Sequence, residues 1–180
     1  MKAAVVYESI YGNTHSIAQA IAEGLGSAGA AHVVSVEEAA RMDLSGIDLL
    51  VVGGPTHAHG MTRTQTRHAA VQDAMSRDKG LTIDPSAGGL GLRDWLDALG
   101  PSSGRAAAFD TRVDMPELLT GHAAKGIGKK LKKHGFELVV DPESFLVTGD
   151  SGLLPGEQER ARRWGEMLAM TLSDEQQPST

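Results

Sequence analysis

Ala3-Ala4-Val5-Val6-Tyr7-Glu8-Ser9-Ile10-Tyr11-Gly12-Asn13-Thr14 is the stretch on which the fold turns. Residues 3–7 are an apolar run suited to a buried strand. From Thr14 to Leu25 apolar residues recur at helical spacing, at Ile17, Ala18, Ile21, Ala22 and Leu25. The hydroxyl-rich run Ser9–Thr14 thus carries the chain from a strand straight into a helix. At such a junction the first helical N–H groups have no internal partner and the helix dipole is positive, so an anion is stabilised there. Ser9, Tyr11 and Thr14 add O–H donors, and Gly12 lets the backbone approach closely. The run has no Lys or Arg and does not match the P-loop pattern, which suits a compact terminal phosphate better than a triphosphate with Mg²⁺. Taken alone, the segment also fits an ordinary helix capped by Thr14 or Asn13.

Further strand-like runs follow at His32–Val36, Ile47–Val52, Ala106–Phe109, and Phe136–Val140 with Phe145–Val147. Continuous apolarity marks strands covered on both faces, and the alternation with helical stretches gives a doubly wound α/β fold. Asp141-Pro142-Glu143 interrupts the last run, so the fifth strand is expected to be broken or to have one half at an edge. Between Gly121 and Lys133 the spacing predicts an amphipathic helix with Lys125, Lys129, Lys132 and Lys133 on one face and Ala124, Ile127 and Leu131 on the other. Ala161, Trp164, Leu168 and Leu172 predict a final helix packed on the sheet, with the Trp in the core. Residues 61–90 are longer than a connection in this architecture needs: Thr64–Ser76 can form a helix, and Thr82–Gly91 reads as loop. One domain over residues 1–172 is expected, with 61–90 inserted after the third strand and a polar, disordered tail at 173–180.

Composition narrows the chemistry. The chain has no cysteine, which excludes disulfides, thiolate catalysis and cysteine-ligated metal centres, so any redox chemistry must come from a bound cofactor. A net charge of −6 argues against nucleic acid as a partner. No charged-then-apolar leader opens the sequence and no apolar run reaches membrane-spanning length, so a cytoplasmic location without membrane contact is expected.

In an open doubly wound sheet, ligands sit beyond the carboxyl ends of the strands at the point where strand order reverses. Gly53-Gly54-Pro55-Thr56-His57-Ala58-His59-Gly60, expected as the loop after the third strand, and Asp110-Thr111-Arg112-Val113-Asp114, expected after the fourth, should converge there with Ser9–Thr14. Together they could line a slot for a flat ring while the first loop holds its phosphate.

In this order, Ser9–Thr14, Gly53–His57 and Phe109–Arg112 resemble the three FMN-binding loops of the flavodoxin family. The resemblance covers nearly the whole chain, including Glu157–Gly165. It implies a flavodoxin-like three-layer sandwich with a five-stranded parallel sheet in the order 2-1-3-4-5. It also implies FMN, with the phosphate at Ser9, Tyr11, Gly12, Asn13 and Thr14. The isoalloxazine ring would lie between Pro55, Thr56, His57, Ala58, His59 and Gly60 on one side and Asp110, Thr111 and Arg112 on the other. Two departures stand out: the loops offer His57 and His59 where flavodoxins usually stack an aromatic residue, and Tyr11 replaces a smaller hydroxyl residue. A cation near a reduced, anionic flavin stabilises it, so His57, His59 and Arg112 are expected to influence the potential.

The resemblance implies electron transfer between redox partners, either a protein or a small quinone. An FMN-dependent NAD(P)H:quinone oxidoreductase and a flavodoxin-fold module without flavin are the competing readings. Oligomeric state stays open. Other signals are discounted: Gly24–Gly29 matches GxGxxG in spacing but follows a helix and precedes a strand, so its glycines are expected to end that helix. His57, His59 and His68 have no acidic neighbour in sequence to complete a metal site, and Ser9 lacks the glycines of a GxSxG elbow.

Overall fold

Along the first apolar run, alternate side chains enter two different hydrophobic layers: Ala3, Val5 and Tyr7 one, Ala4 and Val6 the other. A strand buried on both faces needs helices on both, and the computed structural model, which describes residues 1–57, 60–76, 83–149 and 152–175, shows that arrangement. In chain order the elements are β1 (Lys2–Tyr7), α1 (Asn13–Leu25), β2 (Ala30–Ser35), α2 (Val36–Ala39), β3 (Leu49–His57), β4 (Gly60–Met61) and α3 (Thr64–Ser76). There follow α4 (Leu92–Ala98), β5 (Gly104–Val113), α5 (Glu117–Thr120), α6 (Ala123–Lys133), β6 (Phe136–Leu138), β7 (Glu143–Val147) and α7 (Glu157–Glu175).

The main path of the sheet is β2-β1-β3-β5-β6, and all its pairings are parallel. The sheet has seven strands instead of the expected five. β6 and β7 both pair with β5 and are the two halves of the interrupted last strand, while β4 forms a short antiparallel hairpin with the end of β3. Counting β5 as the fourth strand and β6 with β7 as the fifth, the order 2-1-3-4-5 is recovered.

On one face, Ile17, Ile21 and Leu25 of α1 and Ala161, Trp164 and Leu168 of α7 cover the sheet, with Trp164 edge-on to Phe109 and Phe145. On the other lie Val36, Leu92, Trp95, Leu96, Ile127 and Leu131 from α2, α4 and α6. Each fully buried leucine or isoleucine contributes about 1.5–3 kcal/mol. Arg160 ties α7 to the sheet edge: its guanidinium donates to Glu143 (2.6 Å), Glu157 (2.7 Å) and the Ser144 carbonyl, and lies 4.4 Å from the centre of the Phe145 ring.

Three expectations are corrected. Gly53–His57 and Asp110–Val113 are strand, not loop, because β3 and β5 pair in register as far as Pro55 and Thr111. Gly24 lies inside α1, where a Cβ would collide with the Arg162 carbonyl. A Cβ on Gly165 would strike the Ile21 carbonyl, so both glycines let α1 and α7 pack backbone to backbone. Gly26 caps the C-terminus of α1 and Gly29 that of the short 3-10 turn that follows, so these two do end the helix as expected. The short helices α2, α4 and α5 were not anticipated. Residues 176–180 of the expected tail lie outside the described residues.

Candidate anion-binding site at the switch point

The chain leaves β1 for β2 on one side and returns to β3 on the other, so the turn after β1 stands where strand order reverses. Gly12, at φ +83°, is the N-cap of α1, in place of the expected Asn13 or Thr14, and as a glycine it brings no side-chain cap of its own. Ser16 N–H is the first to bond back, to the Gly12 carbonyl at 2.9 Å. Ser9 Oγ accepts the Gly12 N–H at 3.1 Å, which folds the loop over itself and keeps its own hydroxyl hydrogen to donate. Ser9 and Thr14 are buried, whereas Tyr11, Gly12 and Asn13 are partly exposed; Tyr11 and Asn13 are both engaged with neighbours.

Two polar contacts join this loop to the ends of the neighbouring strands. Thr14 Oγ1 meets Thr111 Oγ1 at 2.8 Å, linking α1 to β5. Asp110 is wholly buried, and its Oδ2 accepts both the Thr56 hydroxyl (3.0 Å) and the Ala124 N–H (2.8 Å). Thr56 Oγ1 in turn accepts the Ala123 N–H at 2.9 Å. The carboxylate therefore fastens β3, β5 and the start of α6 together. Burial pushes the Asp110 carboxyl above its ordinary range, against the opposing pull of the Ala124 N–H, the Ser144 and Thr56 hydroxyls and His122.

The remaining candidates are spread along these strand ends. Pro55, Thr56 and His57 are half-buried in β3, and His57 pairs with Gly60 in the β3–β4 hairpin. Ala58 and His59 lie outside the described residues. Thr111 is buried. Arg112 donates to the Val113 and Met115 carbonyls, the latter at 2.8 Å, so it shapes the chain after β5. Gly53 and Gly54 have a packing cause: a Cβ on Gly53 would collide with the Phe109 ring, and one on Gly54 would meet Leu92 Cδ2 at 2.7 Å. Trp95, Trp164, Phe109, Phe136, Phe145 and Tyr7 are all buried, which leaves Tyr11 as the partly exposed aromatic side chain.

Several residues around the site escaped the sequence reading. Glu8 is buried, accepting the Leu92 N–H at the start of α4 (2.6 Å) and the Thr62 hydroxyl. His15 stacks on Tyr7 at 4.3 Å and contacts the carboxylate of Asp84, whose own N–H bonds the Ile10 carbonyl of the first loop. His122 Nδ1 contacts Ser144 Oγ at 3.1 Å. A signal for α4 was present: Leu92, Trp95, Leu96 and Leu99 follow helical spacing. Nothing local marks the partners of Glu8, because they lie 54 and 84 residues away. Among the described residues no group of three or more His, Asp or Glu could hold a metal ion.

A family model described as a flavodoxin domain matches residues 4–76, the stretch holding β1, the first loop and β3. No curated protein matches the chain. Among solved structures, it is similar to a flavodoxin from the domain Archaea, with 21% identity, 96% of this chain and 99% of that one covered, and a TM-score of 0.62. It is also similar to oxidised Flavodoxin 1 from Bacillus cereus (16% identity, 98% and 100% covered, TM-score 0.62). A third is a flavodoxin, WrbA-like protein from Agrobacterium tumefaciens (19% identity, 96% and 98% covered, TM-score 0.60). At these identities the likeness to the solved structures is one of fold.

Proposed function

We propose, from the premise of the flavodoxin family that fold and family model together support for this chain, that it holds FMN and transfers electrons between redox partners. The observation that carries this reading is the start of α1, turned over Gly12 at a positive φ and set at the switch point of the sheet. The first turn of α1, opened by a glycine N-cap beside the Ser9 and Thr14 hydroxyls and with no cation in the loop, matches the donor needs of a phosphomonoester.

Bound FMN would supply a ring that takes up and gives back electrons; the rest belongs to the protein. Ser9, Gly12, Asn13 and Thr14 would receive the phosphate. Pro55, Thr56 and His57 at the end of β3 and Asp110–Arg112 at the end of β5 would flank the ring. The Thr14–Thr111 and Asp110–Thr56 contacts tie these elements to one another at fixed spacing. Preorganisation of this kind lowers the ordering cost of binding.

The burial of every Trp and Phe favours one competing reading, an FMN-dependent NAD(P)H:quinone oxidoreductase, because a ring without an aromatic cover is open to a small substrate. Titration of the purified protein with FMN and with riboflavin, followed by flavin fluorescence, tests the phosphate site. FMN is expected to bind at least about tenfold more tightly, one charge-assisted phosphate contact set being worth more than about 1.4 kcal/mol. Equal affinities refute the role given to Ser9–Thr14. Adding NADPH to the loaded protein then separates the activities: rapid bleaching supports the oxidoreductase, and an unchanged spectrum supports a carrier with a separate reductase.

A further inference from the structure

Five of the seven lysines in the chain fall within the eleven residues of α6, which contains no Asp or Glu. Ala123, Ala124, Ile127, Gly128 and Leu131 are buried, so Lys125, Lys129, Lys132 and Lys133 are left on the outer face. Lys130 pairs with Asp97 of α4. Lys129, Lys132 and Lys133 make no ion pair among the described residues. The contrast with α7 is informative: Arg160, Arg162 and Arg163 there all meet Glu side chains of the same helix. One helix neutralises its own charge, and the other presents it outward.

The same helix borders the candidate site. Its first residues bond Thr56 and Asp110, and it packs on β3, β4 and β5. Just before it, between β5 and α6, Val113, Met115, Leu118 and Leu119 are exposed, with Leu118 at 92%. Asp114 and Glu117 share that segment. An exposed apolar group leading into a helix that turns its lysines outward combines the apolar and charged parts of a docking surface.

From these features we infer that the outer face of α6, with the apolar segment 113–119, docks a compact acidic protein that exchanges electrons with the site. Charge complementarity selects the occupant. The chain as a whole carries −6, so everything outside α6 is more acidic still. A broad anionic surface such as a membrane or a nucleic acid would meet that acidic remainder. A small acidic protein meets the lysine face alone. The electron-exchange part of the inference rests on the proposed function, whereas the docking part does not.

The probe is a strongly acidic [2Fe–2S] ferredoxin, titrated by calorimetry into the full chain with and without FMN, at about 20 and about 200 mM salt. Binding is expected in both flavin states and should weaken at least about tenfold over that salt range. The triple variant Lys129→Glu/Lys132→Glu/Lys133→Glu is expected to lose about tenfold or more in affinity. The triple Gln variant, which keeps the helix end free of acidic charge, should show a smaller loss in the same direction. Arg163→Gln on α7 is the control and should bind as the unaltered chain does. Equal affinity for all variants, or no salt dependence, overturns the inference. Lysine-dependent sedimentation with phosphatidylglycerol vesicles but not with phosphatidylcholine, without ferredoxin binding, also overturns it and assigns the face to lipid. Docking without electron exchange by the loaded protein leaves the surface standing and sinks the redox reading.

Discussion

Replacing Asp110 separates its two structural roles, as a hydrogen-bond acceptor and as a buried charge. A single oxygen, Oδ2, accepts both the Thr56 hydroxyl and the Ala124 N–H. Asp110→Asn can place its amide oxygen there and keep both donors satisfied. Asp110→Ala cannot, and it strands an N–H in the first turn of α6. Two lost bonds at about 1 kcal/mol each, with one buried donor left unsatisfied, give a destabilisation of about 3–4 kcal/mol for the alanine variant. For a chain of this length that lowers Tm by about 10 °C. The asparagine variant should stay within about 1 kcal/mol of the parent near neutral pH. The sign of the pH effect follows from the raised native pKa: the carboxyl contributes stability below the ordinary aspartate range, and that contribution is lost as pH rises through the higher native value. The parent should therefore lose stability relative to Asp110→Asn across that window and run parallel to it above. Urea unfolding of the three proteins from pH 4 to 8 measures this. If asparagine costs as much as alanine, or the difference between parent and asparagine is flat with pH, the assignment of burial as the dominant influence on Asp110 is refuted.

Other perturbations act on neighbouring contacts of the site and the sheet. Thr111→Val removes the partner of the Thr14 hydroxyl and should cost about 1 kcal/mol in urea unfolding while also weakening FMN retention. Gly12→Ala meets open space but forces a Cβ into a left-handed backbone, so a loss of about 1–2 kcal/mol is expected. Gly12→Asn should cost less. Gly24→Ala drives a methyl into the Arg162 carbonyl and should destabilise by about 2 kcal/mol or more without changing FMN selectivity over riboflavin; a neutral result in thermal unfolding contradicts the close α1–α7 packing. Burial pushes the Glu157 carboxyl up, but Arg160 and the Leu146 N–H outweigh it and hold the group below the ordinary range. Its stabilising contribution is thus present above the ordinary glutamate pKa and lost as pH falls through the lower native value. Arg160→Gln should flatten that acid limb in a pH series of unfolding curves.

The architecture was legible because the strands are covered on both faces: their apolar runs leave little doubt about burial, and the lysine stripe fixes the orientation of α6. The break at Asp141–Glu143 was legible too, since Pro142 cannot donate to a ladder. Strand ends were not. Thr56, His57, Thr111 and Arg112 are polar residues that sequence assigns to loops, yet pairing of β3 with β5 and then β4, and of β5 with β7, carries both strands onward. The glycines misled for a related reason. Gly53, Gly54 and Gly24 are small because Phe109, Leu92 and the α7 backbone press on them, and a sequence does not display its distant neighbours. The tethers of Glu8 and His15 were hidden by the same sequence separation.

The interruption between β6 and β7 has a consequence for how the protein behaves among its own copies. From Ala106 to Phe109, β5 advances three residues while the strand beside it advances five, from Leu138 to Glu143. The surplus, with Pro142 in it, breaks the outer margin of the sheet into two segments of three and five residues. An intact margin would offer a long row of unsatisfied N–H and C=O groups on which another chain could add a strand. The fracture shortens that template on this side, and the Val147–Leu153 bridge with the Leu154 N–H on the Leu146 carbonyl covers part of β7, so strand addition by another copy is disfavoured at this margin.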